Sequence, residues 1–249
     1  MTQTGYHMSP DDFRRHGHAV IDWLADYLAS IEDRPVTPDV APGAIRALLP
    51  ETAPEMPEPF EAILADLDRV VMPGLVHWQS PGWFGYFPAN GSGPGILGDL
   101  VSTGLGQQGM LWATSPACTE LETVVLDWLV DLLGLPTSWR TDGPGGGVIQ
   151  MSASDSTHTA LVVARHRATA TADPADLVVY TSQQAHSSVE KGARVAGYRH
   201  LRLIEVDAGH AMDPAALRHA VAADVDAGLT PAFVCSTVGT TGTAAVDPV

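Results

Sequence analysis

A chain of 249 residues, 45% apolar and 17% charged, is long enough to bury one large core and too apolar to stay an unfolded polymer. Its formal net charge of −16 repels nucleic acid and anionic membrane at long range, so neither is expected as a partner. No apolar run approaches the roughly 18 residues that span a bilayer, and the first residues lack the basic and apolar regions of a signal peptide, so a cytoplasmic location is expected.

The first predicted element is an amphipathic helix over residues 9–31. Ser9 suits its cap, Pro10 its first turn, and Asp11 and Asp12 the positive end of its dipole. Val20, Ile21, Trp23, Leu24, Tyr27, Leu28 and Ile31 recur at helical spacing, a stripe that calls for the main domain or a second subunit to cover it. Prolines recur over 34–59, which predicts an extended, wrapping connection with a short helix at 44–49. A second helix is predicted over 60–71, stopped by Pro73 and Gly74. The aromatic run from His77 to Asn90 carries too many glycines and prolines for a regular strand, and its rings suit a pocket or an interface as well as a core.

A glycine-interrupted helix follows over 94–105. A stronger one, over 115–133, places Leu121, Val125, Trp128, Leu129 and Leu132 on one face and reads as a core helix. From Gly147 the pattern alternates. Strands are predicted at 148–151, 177–181, 201–206 and 232–238, with helices at 155–169, 187–196 and 214–227 between them. The strands are short, β-branched and apolar on both faces, as in a buried parallel sheet, so the fold class is α/β and layered. A sheet of this kind that stops just after a strand, at Asp247-Pro-Val249, reads as an unfinished unit, and the sequence is expected to be part of a longer one.

Three turns fall at the carboxyl edge of these strands, where open α/β sheets bind ligands. Ser152-Ala-Ser-Asp-Ser156 leads into a helix, and its small residues would let a phosphate approach free N–H groups. The same residues also make a plain helix cap. The run has neither the lysine of a P-loop nor the spacing of a dinucleotide-binding glycine motif. His186 opens the helix after the second strand, where an imidazole can lie over a flat ligand. The run from Thr237 to Thr243 supplies glycines and small hydroxyls. Other histidines, including His16, His18, His166 and His219, read as solvated. Cys118 and Cys235 sit apart in apolar runs and read as buried free thiols, and no metal site is expected. A serine hydrolase using Ser154 or Ser156 with His186 lacks both the nucleophile elbow and an acid to orient the imidazole.

Gly145-Gly-Gly-Val-Ile-Gln, Ser152-Ala-Ser, Gln184-Ala-His-Ser-Ser-Val-Glu190, Trp112-Ala-Thr-Ser-Pro-Ala-Cys-Thr-Glu-Leu-Glu122 and Val238-Gly-Thr-Thr241 together resemble the group II pyridoxal-phosphate (PLP) decarboxylases, which include the aromatic L-amino-acid decarboxylases. The resemblance runs from the first helix to the last residue. It implies the large α/β domain of the fold type I PLP-dependent transferases, cut short, with PLP as cofactor. It implies a homodimer in which residues 1–85 form a helical and extended dimerisation segment, and 86–249 part of the PLP-binding domain. By position, Ala153 and Ser154 would hold the phosphate, His186 would stack on the pyridine ring and act catalytically at the substrate carboxylate, and Thr241 would lie near the ring. Trp78, Phe87, Pro88 and Ala89 would line the substrate pocket; Ala89 stands where threonine is frequent in the family, and Met110 where an aromatic is frequent.

The family pattern implies a ring-binding Asp and a Schiff-base Lys past Val249. Lys191, the only lysine, falls at an ordinary basic position and is expected to run along its helix. The implied reaction is decarboxylation of an L-amino acid, aromatic by the family's habit, carried out by a longer parent while these residues alone stay inactive. Whether the product is an amine or an aldehyde stays open. The competing reading is a non-catalytic dimerising or regulatory module built on the same fold.

Overall fold

The computed structural model describes residues 8–86 and 91–249. The chain divides into two compact units, Met1–Gly95 and Ile96–Val249.

In the first unit, α1 spans Pro10–Ala29. Ser9 Oγ accepts the N–H of Asp12 at 3.1 Å and donates to its carboxylate at 2.7 Å, so the cap reads as its residues suggest. The second helix, α2 (Phe60–Asp66), runs on into a single π turn, Leu67–Val71. These segments cover one side of the stripe on α1. The His16 ring lies 4.4 Å from Phe60, Trp23 Nε1 donates to Asp68 at 3.1 Å, and Tyr27 Oη bonds His77 Nδ1 at 3.0 Å. His16 is therefore buried, against the expectation of a solvated ring, because it shares the helix face of Trp23 and Tyr27. Burial pushes the His77 imidazole below its ordinary value and the Tyr27 phenol above. The other side of the stripe, with Phe13, Ile21 and Leu28, stays exposed.

In the second unit, α3 (Gly93–Leu105, which begins just before the unit boundary) is followed by α4 (Pro116–Leu132). The face of α4 read as core is open among the described residues: Leu121, Trp128 and Leu132 are 67%, 66% and 80% exposed. Periodicity marks the apolar face, but no described segment packs on it. Next come α5 (Ala153–Ala168), β1 (Leu177–Ser182), α6 (Ser188–Val195), β2 (His200–Ile204), α7 (Pro214–Asp226) and β3 (Thr230–Cys235). The three strands are parallel in the order β2-β1-β3, and every residue of central β1 is buried. Alternation along β1 divides the core. Leu177 and Val179 meet Leu161, Val189, Ala193 and Tyr198, while Val178 and Tyr180 meet Ile204 and Met212. The β1–β3 register slips beside Val178, whose partner Pro231 has no N–H to offer a ladder.

Two strand expectations need correction. Residues 148–151 form no strand: Val148, Ile149 and Met151 are exposed, and the N–H of Ile149 goes to the Glu122 carboxylate at 2.7 Å. A strand exists only with a ladder partner, and none of the described strands pairs with this run. The last strand ends at Cys235 and not at Val238, because the chain there turns into a loop closed by the Val238–Val246 bridge.

Helices α5 and α6 approach closely at Gly192, where a Cβ would stand 2.9 Å from Leu161 Cδ1, itself fully buried. Gly192→Ala should therefore destabilise the fold by about 1–3 kcal/mol through overpacking, seen as a lower urea midpoint at unchanged slope.

Candidate cofactor site

The first turn is built by Ser152, whose extended backbone ends the approach to α5. Its Oγ accepts the N–H of Asp155 at 3.2 Å and donates to the Asp155 carboxylate at 2.8 Å. The cap is thus satisfied one turn in, and the N–H groups of Ala153 and Ser154 meet no acceptor among the described residues. Two free donors stand at the positive end of a 16-residue helix.

The second turn follows β1. Ala185 N–H bonds Ser182 O and Val189 N–H bonds His186 O, both at 3.1 Å, which sets His186 at the entry to α6. His186 Nδ1 accepts the N–H of Ser188 at 3.2 Å and lies 3.0 Å from Ser188 Oγ. An amide only donates, so Nδ1 carries no proton, and the neutral ring keeps its hydrogen on Nε2. The structure brings this turn and the first together. Ser154, Asp155, His158, His186, Ser188 and Lys191 line one open groove of about 240 Å³ between α5 and α6. Lys191 thus stands on the groove wall shared with Ser154 and His186, more than a lysine simply running along its helix would imply.

The third turn, after β3, is held from inside. Buried Thr240 Oγ1 lies 2.7 Å from Thr243 Oγ1 and accepts the N–H of Ala245 at 3.0 Å. The buried Asp247 carboxylate accepts the N–H of Met212 at 2.7 Å and of Thr237 at 2.8 Å, tying the loop to the end of the β2–α7 connection. Thr241 is exposed beyond this clasp, and a Cβ on its neighbour Gly242 would stand 3.9 Å from Gln184 Oε1, beside the second turn. Asp247 is the residue that pattern reading missed, since an acid between Val246 and Pro248 looks like solvated loop.

Trp78 belongs to the other unit, 43% exposed and stacked on Trp83 and Tyr86 at 5.2 and 5.6 Å between centroids. Phe87, Pro88 and Ala89 lie outside the described residues. Among the described residues no three His, Cys, Asp or Glu side chains gather to hold a metal, and no helix is long and apolar enough to cross a membrane.

The donor set fits a phosphate monoester. Free amides and a small hydroxyl face the approach, no side chain larger than Ser blocks it at 152–154, and an imidazole shares the groove. The Pyridoxal-dependent decarboxylase conserved domain matches residues 42–249. The chain belongs to the pyridoxal-dependent decarboxylase family. Aromatic-L-amino-acid decarboxylase of Rattus norvegicus is 46% identical over 96% of this chain and 52% of its own length. Phenylacetaldehyde synthase of Arabidopsis thaliana is 44% identical over 97% of this chain and 51% of its own. Tryptophan decarboxylase of Catharanthus roseus, solved with L-tryptophan, superposes with a TM-score of 0.93 at 40% identity, covering 98% of this chain and 54% of that one. The chain spans about half the length of these relatives. The fold is the fold type I α/β fold of the decarboxylases it superposes on, and PLP is the cofactor of this decarboxylase family.

Proposed function

We propose that this chain supplies the phosphate- and ring-binding part of a PLP-dependent decarboxylase acting on an L-amino acid, aromatic ones foremost. The observation that carries the reading is the shared groove of Ser154 and His186, with two unbonded amides at its helix end. Relatives named for aromatic amino acids support the substrate class.

Bound PLP supplies an electron-accepting ring that takes up the electron pair left as the carboxylate departs as CO2. The chain's own residues do the placing. The Ala153 and Ser154 amides anchor the phosphate, and the dipole of α5 favours its charge. Ser188 fixes the His186 ring through Nδ1, which would leave Nε2–H to donate toward a substrate carboxylate and the ring face free to stack on the cofactor. Thr241 would border the ring. The open apolar faces of α4 and of α1 support a homodimer clasped through residues 1–85.

The test is CO2 release by the protein expressed from its native gene, supplied with PLP and carboxyl-labelled L-tryptophan, L-tyrosine, L-DOPA or L-phenylalanine. Release with the matching amine supports the reading; release with aldehyde and ammonia, with O2 consumed and hydrogen peroxide formed, assigns an aldehyde synthase instead. No release from any of the four overturns it. His186→Gln should lower kcat/KM by about 10²-fold or more.

A further inference from the structure

We propose that Lys191 supplies the positive charge that holds the cofactor's phosphate, an inference that rests on the cofactor site proposed above. A phosphate monoester is close to a dianion at neutral pH. Its other candidate partners are the Ala153 and Ser154 amides at the end of α5 and, on the groove, the hydroxyls of Ser154 and Ser188, all neutral, with the imidazoles of His158 and His186 carrying no fixed charge. Asp155 adds a negative charge to the same wall, within a chain of net charge −16. A dianion entering there meets favourable dipoles but needs a cation.

Among the described residues, Lys191 is the only lysine or arginine that lines this groove. Arg194, the next basic residue on α6, is taken by Glu190 in an ion pair and is not on the groove wall. Lys191 stands on that wall, one turn into α6, exposed and in no ion pair among the described residues. Its neighbour Gly192 packs against His158 and Leu161, one to two turns into α5, so the close approach of the two helices keeps Lys191 on the wall of the groove whose mouth carries Ser154. A flexible stem ending in a compact ammonium suits a phosphate as a point charge and does not demand the planar fork of an arginine.

The experiment is equilibrium binding of PLP, followed by its absorbance and induced circular dichroism, to the protein expressed from its native gene and to its Lys191→Gln and Lys191→Arg variants. Pyridoxal, which lacks the phosphate, and inorganic phosphate as competitor are run alongside. Lys191→Gln should bind PLP about 10-fold more weakly, with pyridoxal affinity unchanged and competition by phosphate weakened. Its PLP affinity should also depend less on salt. Lys191→Arg should keep most of the affinity. Equal PLP affinity in wild type and Lys191→Gln overturns the role of Lys191 and leaves the cofactor site standing. An equal loss for pyridoxal also overturns it, since the lysine would then act on the aldehyde or on the fold. No saturable PLP binding by the wild-type protein from its native gene overturns this inference together with the cofactor site.

Discussion

Asp224→Ala is expected to cost about 3–5 kcal/mol of stability, read from urea unfolding at neutral pH. The Asp224 side chain is 8% exposed and sits under the sheet. It accepts from Arg202 Nη2 at 2.6 Å, from Arg202 Nε at 3.0 Å and from Tyr180 Oη at 2.9 Å. Tyr180 and Arg202 face one another across the β1–β2 pairing, so one carboxylate from α7 serves two strands. Removing it strands a half-buried guanidinium and a fully buried phenol. The hydrogen bond from Arg202 is the main reason the Asp224 carboxyl titrates below its ordinary value of 3.8, against an opposing push from burial. The unfolded chain therefore binds the proton more readily than the folded one. The contribution of Asp224 is fully present above the unfolded value and fades as pH falls through the lower folded one. Wild type should lose stability on acidification along this limb, and Asp224→Ala should lose less of it, the two curves converging at low pH. Tyr180→Phe, which removes one donor and keeps the ring, should cost only about 1 kcal/mol.

Asp247→Ala is expected to be the next most damaging change, at about 2–4 kcal/mol, because it leaves two inward-facing N–H groups without an acceptor. Those are Met212 N–H and Thr237 N–H, both within 2.8 Å of the carboxylate. The loss should be local before it is global. Amide hydrogen exchange should accelerate at Met212 and Thr237 and through the 237–247 loop, while β1 keeps its protection. Asp247→Asn retains one acceptor oxygen and should fall between the two. Unchanged exchange at both amides in Asp247→Ala would show that the carboxylate does not hold the loop. If the Thr241 turn borders the cofactor as proposed, PLP affinity should fall in step with the loosening of this loop.

Much of both units is legible from local chemistry. Helices α1, α5 and α7 begin at Ser9, Ser152 and Asp213, each with a side chain accepting an N–H two or three residues on, and such caps depend on neighbours in sequence alone. The three observed strands follow from short apolar runs between turn residues, and the placing of His186 just past the carboxyl end of β1 follows from strand and helix alternation, whereas Ser154 opens α5 with no strand before it. Residues 148–151 carry the same apolar signal without becoming a strand, since a ladder needs a second chain segment in register. The stripe on α4 was equally clear as a helix face, yet what covers a face is not written in its period.

What the sequence determined by itself is therefore the order of elements, the α/β class and the family, because these rest on periodicity, caps and short motifs. Tertiary structure decided which polar residues are structural. His16, Asp224 and Asp247 look like solvated charges in a linear reading, but each is buried against partners distant in sequence. Tertiary structure also put Lys191 on the same groove as Ser154 and His186. Burial and charge pairing are properties of surfaces brought together by folding, and no local pattern encodes which surfaces will meet.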